Sequence, residues 1–105
     1  MTMCRCVYGE LSNQRKENWY HDDENPFIIL KWEKRIYSAE GIGFPSLATQ
    51  YLRDRVQIDW GSFAWKASKE DLLRFADRIS CGELEDPDCL EDGIEYRVVF
   101  IEDCY

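Results

Sequence analysis

Two alternating runs joined at a glycine, RVQIDW-GS-FAWKAS over residues 55 to 68, constrain this chain more than any other stretch. Gly-Ser between such runs is the signature of a two-residue hairpin loop, with the glycine supplying the positive φ of a type II′ turn. Residues flanking such a loop stand opposite one another. The pattern predicts Trp60 against Phe63, Ile58 against Trp65 and Val56 against Ala67, all six on one apolar face. Arg55, Gln57 and Asp59 then share the other face with Ser68, Lys66 and Ala64.

A helix follows without a gap. Ser68 suits an N-cap, and Asp71 stands three residues on, where it completes a capping-box-like arrangement. Glu70 and Asp71 suit the positive end of the helix dipole. Leu72, Leu73, Phe75, Ala76 and Ile79 make an apolar side, Glu70 and Arg74 stand at i, i+4 spacing, and Gly82 is the expected stop. The prediction is a helix over about 69–80.

Three further strands are expected. TMCRCVYG places Cys4, Cys6 and Tyr8 on one side. PFIILKWE places Ile28, Leu30 and Trp32 together. IEYRVVFIED, residues 94 to 103, places Ile94, Tyr96, Val98 and Phe100 on one face, with Glu95, Arg97, Val99 and Ile101 on the other. RIYSAEGIGF reads as a return strand leading into a turn, and residues 46–54 as a second short helix. The fold class is α+β: an antiparallel sheet of four to six strands packed against one main helix, in a single domain spanning 1–105.

Charge narrows the function. Twenty-one acidic residues face thirteen basic ones, for a formal net charge of −8. Such a field repels polyanions, so direct nucleic-acid binding and anionic membranes are disfavoured and a protein with a basic surface is favoured. No stretch is apolar enough to cross a bilayer, no secretory leader pattern is present, and five cysteines form no obvious disulfide framework. These features suggest a cytoplasmic protein.

The densest acidic stretch is GELEDPDCLEDGIEY, residues 82 to 96, with seven carboxylates and no basic side chain. It fails as an EF-hand: a loop begun at Asp88 puts Leu90 at the third position and Val99 at the twelfth, and one begun at Asp86 puts Leu90 at the fifth. Pro87-Asp88 followed by Glu95-Tyr96-Arg97 resembles a metal-dependent nuclease pattern, but arginine replaces the lysine and stays charged. The cysteines at 4, 6, 81, 89 and 104 lack the paired spacing of a zinc site, and Cys4 and Cys6 read better as small core groups. His21 is the lone histidine and sits in the polar run HDDEN without a recognisable nucleophile. Gly41-Ile42-Gly43 lacks the third glycine of a dinucleotide loop. The expectation is no catalytic residue, no metal and no cofactor.

Recognition remains. Aromatic rings anchor an interface and acids complement a basic partner. The candidate partner-binding residues are Trp19, Tyr20, Asp22, Asp23 and Glu24 in one long connection, and Glu83, Glu85, Asp86, Asp88, Glu91 and Asp92 in the other. The reading is a small acidic binding protein of the inhibitor, antidote or immunity kind. Two alternatives stand beside it: an oligomeric or complex-forming subunit, such as a homodimer, that uses an aromatic surface, and a divalent-metal-dependent hydrolase.

Overall fold

Two segments far apart in the chain, around CVYGEL and YRVVFI, pair at the centre of the sheet. The computed structural model describes residues 2–11, 30–37, 44–79 and 83–104. Its elements are β1 (Thr2–Leu11), β2 (Leu30–Tyr37), α1 (Phe44–Tyr51), β3 (Arg53–Asp59), β4 (Ser62–Ala67), α2 (Lys69–Arg78), β5 (Glu83–Leu84), a 3₁₀ turn (Pro87–Cys89) and β6 (Tyr96–Cys104). The six strands form one sheet in the order β3-β4-β6-β1-β2-β5. Every neighbouring pair is antiparallel, and β1 and β6 stay in register from Thr2↔Cys104 to Glu10↔Tyr96. The fold is α+β, as expected.

Both helices pack on one sheet face. There Cys6, Tyr8, Trp65, Ala67, Tyr96, Val98 and Phe100 meet Ala48 of α1, Leu52 just after it, and Leu72 and Phe75 of α2. Among the described residues, Trp65, Tyr8, Tyr96, Phe75, Leu72 and Val98 are the largest fully buried side chains. Each large apolar group buried this way stabilises the fold by roughly 1.5–3 kcal/mol. The Trp65 indole N–H is satisfied by Thr49 Oγ1 at 3.3 Å, and the Thr49 hydroxyl donates to the Pro45 carbonyl at 2.7 Å. The opposite face carries a smaller cluster of Val7, Leu11, Ala64 and Val99, joined by Val56, Ile58 and Ile101.

The hairpin exists, but its register differs from the expectation. Asp59 pairs with Ser62, Gln57 with Phe63 and Val56 with Ala64, so the loop is Trp60-Gly61 and not Gly61-Ser62. Gly61 takes φ +81° in the second loop position, a conformation that costs glycine little. Phe63, Trp65 and Ala67 therefore face the helices, while Val56 and Ile58 face the other side with Ala64. Trp60 projects from the tip, 83% exposed. The reason is the position of β4. An interior strand is buried on both faces, so gathering every apolar residue of the ribbon on one face is the wrong criterion. The strand β3 also bulges between Arg53 and Val56, where Asp54 has φ +54°.

Four smaller differences have local causes. The chain enters α1 at Phe44, and Pro45 fits the first turn because its missing N–H would have no helical partner there. That helix ends at Tyr51 because β3 begins at Arg53. Arg35 to Tyr37 extend β2 instead of starting a return strand, since β5 pairs with them; residues 26–29 of the expected second strand and residues 38–43 of the return segment lie outside the described residues. Leu73 is 40% exposed, on the outer side of α2, and Arg74 binds Asp71 at 3.0 Å in an i, i+3 pair.

The capping box of α2 forms as expected. The Asp71 N–H donates to Ser68 Oγ and the Ser68 N–H donates to Asp71 Oδ2, both at 3.2 Å. The helix runs to Arg78 with Ile79 as C-cap, and Gly82 lies outside the described residues.

One charged row crosses the sheet opposite the helices. Arg97 on β6 and Glu33 on β2 both stand opposite Gly9 of the strand between them. With no side chain at that position, the buried Arg97 guanidinium reaches across to Glu33 at 3.3 Å.

Candidate functional site

The acidic segment from Glu83 to Glu95 is mostly exposed, but it is anchored to the fold and not loose. Two leucines set inside the acids explain why: Leu84 and Leu90 are only 5% and 4% exposed, and both join the helix-side core. Between them the chain is tied to the edge of the sheet. Leu84 pairs with Ile36. The Glu85 N–H donates to the Arg35 carbonyl at 2.9 Å, while Glu85 Oε2 accepts the Arg35 N–H at 2.9 Å. One residue thus satisfies both backbone groups of another, as an exposed strand edge requires.

The turn that follows is narrow. Asp86 has φ +49°, a left-handed conformation that aspartate tolerates better than most residues. Its carboxylate meets Lys34 Nζ at 2.9 Å, and this bond, with the Asp86 charge behind it, raises the lysine pKa. The 3₁₀ turn closes with the Cys89 N–H on the Asp86 carbonyl and the Leu90 N–H on the Pro87 carbonyl.

Two phenols hold the segment from beneath. The Tyr8 hydroxyl donates to the Glu85 carbonyl. The Glu91 N–H donates to the Tyr96 hydroxyl at 2.6 Å. Trp32 completes this floor, edge-on to Tyr8 at 5.7 Å and tilted against Tyr96 at 5.9 Å, with its indole N–H on Glu10 Oε2 at 3.2 Å. Burial, then the neighbouring Cys89, Asp86 and Glu85, pushes the Tyr8 phenol up to about 12. Tyr96 is raised as well, chiefly by burial and against the Glu91 backbone bond. Both stay neutral near pH 7 and act as fixed hydrogen-bonding struts. At the far end, the Leu11 N–H donates to the Glu95 carbonyl at 3.0 Å.

The seven carboxylates now divide. Glu85 holds backbone, Asp86 holds Lys34, and Glu95 lies 3.9 Å from Arg53. Glu83, Asp88, Glu91 and Asp92 are exposed. Among the described residues, none of these four takes part in an ion pair. Of the expected partner-facing residues, these four lie exposed along one segment outside any such ion pair, and Glu85 and Asp86 are used within the fold. Trp19, Tyr20, Asp22, Asp23 and Glu24 lie outside the described residues, as does His21.

Among the described residues, no group of three or more His, Cys, Asp or Glu side chains is placed to hold a metal ion. The Arg97 of the nuclease-like pattern is turned to the sheet face opposite Tyr96 and bonded to Glu33. Cys6 is buried, which drives its thiol pKa well up, and Cys89 is exposed on the 3₁₀ turn. No helix among the described residues is long and apolar enough to cross a membrane.

Sequence reasoning missed the residues that position the acids: Tyr8, Lys34, Trp32 and Tyr96. One signal was available. Leu84 and Leu90, six apart in an otherwise acidic run, are what a segment needs to lie down on a core. Set against known proteins, the chain matches no protein-family model, no curated protein and no solved structure.

Proposed function

We propose that this chain is a small, non-catalytic acidic binding protein of the cytoplasm that recognises a basic protein surface, in the manner of an inhibitor, antidote or immunity protein. The observation that carries the reading is the set of four open carboxylates, Glu83, Asp88, Glu91 and Asp92, on a segment fixed by two buried leucines and two phenol struts. Pre-ordered charges lose little entropy on binding, and acids left unneutralised within the fold remain available to an arginine- or lysine-rich partner. The net charge of −8 adds long-range attraction for such a partner and opposes polyanions.

The test compares the parent with a variant carrying Glu83→Gln, Asp88→Asn, Glu91→Gln and Asp92→Asn. Each is immobilised and exposed to extract of the native cell at low and at high salt. A basic protein retained by the parent at low salt, and lost both on the variant and at high salt, supports the reading. A partner held equally by both proteins, or insensitive to salt, refutes it.

A second reading is favoured by Trp60, a residue 83% exposed at the hairpin tip. Large exposed rings are frequent anchors of protein interfaces. On this reading the chain is an oligomeric or complex-forming subunit, and sedimentation shows a dimer that Trp60→Ser dissolves. A parent that sediments as a monomer at high concentration, and a Trp60→Ser variant that captures the same proteins as the parent, exclude it.

A further inference from the structure

Asp92-Gly93 is the one place in the chain where aspartate or asparagine precedes glycine. We propose that it is a site of spontaneous aspartyl isomerisation, and hence a substrate site for enzymes that methylate isoaspartyl carboxylates.

The chemistry is intramolecular. The backbone nitrogen of Gly93 attacks Cγ of the protonated Asp92 carboxyl. A C–N bond forms, and the side-chain hydroxyl leaves as water with the amide proton, giving a five-membered succinimide. Water then reopens the ring. Attack at the former side-chain carbonyl restores aspartate, and attack at the former main-chain carbonyl leaves the chain running through the side-chain carbon, which is isoaspartate. One water is lost and one is regained, so no redox partner is needed and the mass is unchanged.

Three structural conditions favour this at residue 92. The first is access: both residues are exposed, and a Cβ built on Gly93 meets nothing within 4 Å. The second is the glycine itself, which sits at φ +80° in a turn and lacks the side chain that would shield its nitrogen. The third is that neither reacting group is engaged: among the described residues, no hydrogen bond holds the Gly93 N–H and no ion pair holds the Asp92 carboxylate. The other aspartates of the segment differ. Asp86 is bonded to Lys34 and precedes Pro87, which has no N–H to give up, and Asp88 precedes the Cys89 N–H, bonded to the Asp86 carbonyl. The product adds one main-chain atom between Glu91, held by Tyr96, and Glu95, whose carbonyl holds Leu11.

The full-length protein is aged at 37 °C near pH 6, digested, and its peptides are separated and fragmented by electron transfer, which distinguishes the two linkages. Methyl transfer from S-adenosylmethionine by a purified isoaspartyl methyltransferase is the second readout. A synthetic peptide covering residues 88–97 and the Asp92→Glu variant are the controls. The expected result is isoaspartate at residue 92 in excess over residue 88 and over residue 86, formed within about tenfold of the free-peptide rate, with methyl transfer to this segment falling in Asp92→Glu to the level set by residue 88. Conversion at residue 92 no greater than at residue 88, or slowed beyond that range by the fold, overturns the proposal.

Discussion

Replacing Tyr8 with phenylalanine tests the strut beneath the acidic segment, because it removes one hydroxyl and keeps the ring. Tyr8 is fully buried and its hydroxyl donates to the Glu85 carbonyl. Losing that bond and leaving a shielded carbonyl unpaired costs about 1–3 kcal/mol at pH 7. The alkaline side gives a sharper result. The folded-state pKa stands at about 12, above the phenol's ordinary value. Between the two values the unfolded chain releases the proton and the folded chain keeps it, so this contribution to stability is complete below the ordinary pKa and is lost as pH rises toward the folded one. At pH 11 the loss is roughly 1.4 kcal/mol, from an unfolded pKa of about 10. The Tyr8→Phe variant has no such loss, and all other titrating groups are common to both proteins. Urea melts followed by tryptophan fluorescence are therefore expected to show a stability gap that narrows by about 1.4 kcal/mol between pH 7 and pH 11. A gap that is the same at both pH values refutes the buried-donor account of Tyr8.

Ser68→Ala removes one half of the α2 capping box and is expected to cost about 1 kcal/mol in urea melts. Partial burial works against the Asp71 charge, but the Ser68 N–H, Arg74, the Ser68 hydroxyl and Arg53 together hold its carboxyl below the usual carboxylate range. Its stabilising effect is thus present above the ordinary value of about 4 and disappears as pH falls through the lower folded value, so Ser68→Ala shows a shallower loss of stability on acidification than the parent. Trp65→Ala opens the centre of the helix-side core and is expected to cost about 3–5 kcal/mol by chemical denaturation. Gly9→Val places a branched side chain between Arg97 and Glu33 and is expected to cost about 1–3 kcal/mol in the same assay, even though valine favours strands; a stabilised variant would mean that the guanidinium does not cross that glycine.

The legible parts of this fold were those written in neighbouring residues. Ser68 and Asp71 specify a helix start because the bonds they make lie within one turn. The alternation of Tyr96, Val98 and Phe100 specifies a strand with one face inward. Hairpin register failed at this level because it depends on β6, which packs beside β4 and gives it a second buried face. The exposure of Trp60 has the same origin: the loop moved by one residue once both faces had to be satisfied. The acidic segment was legible in composition and illegible in support. Its charge pattern is visible in the sequence, but the hydroxyls of Tyr8 and Tyr96 come from strands outside it, and no local pattern announces that they will meet the Glu85 and Glu91 backbone.

The strand order carries a consequence for how the molecule comes into being. The strand β6 lies between β4 and β1, so it alone joins the β3-β4 ribbon to the β1-β2-β5 group. A ribosome makes it after every other described strand. Until Tyr96 and its successors emerge, the nascent chain carries two half-sheets, each with an open border of unbonded amides, the condition that invites sticking to other chains. Translation that stalls before residue 96 leaves an adhesive fragment and not a shorter version of the same protein.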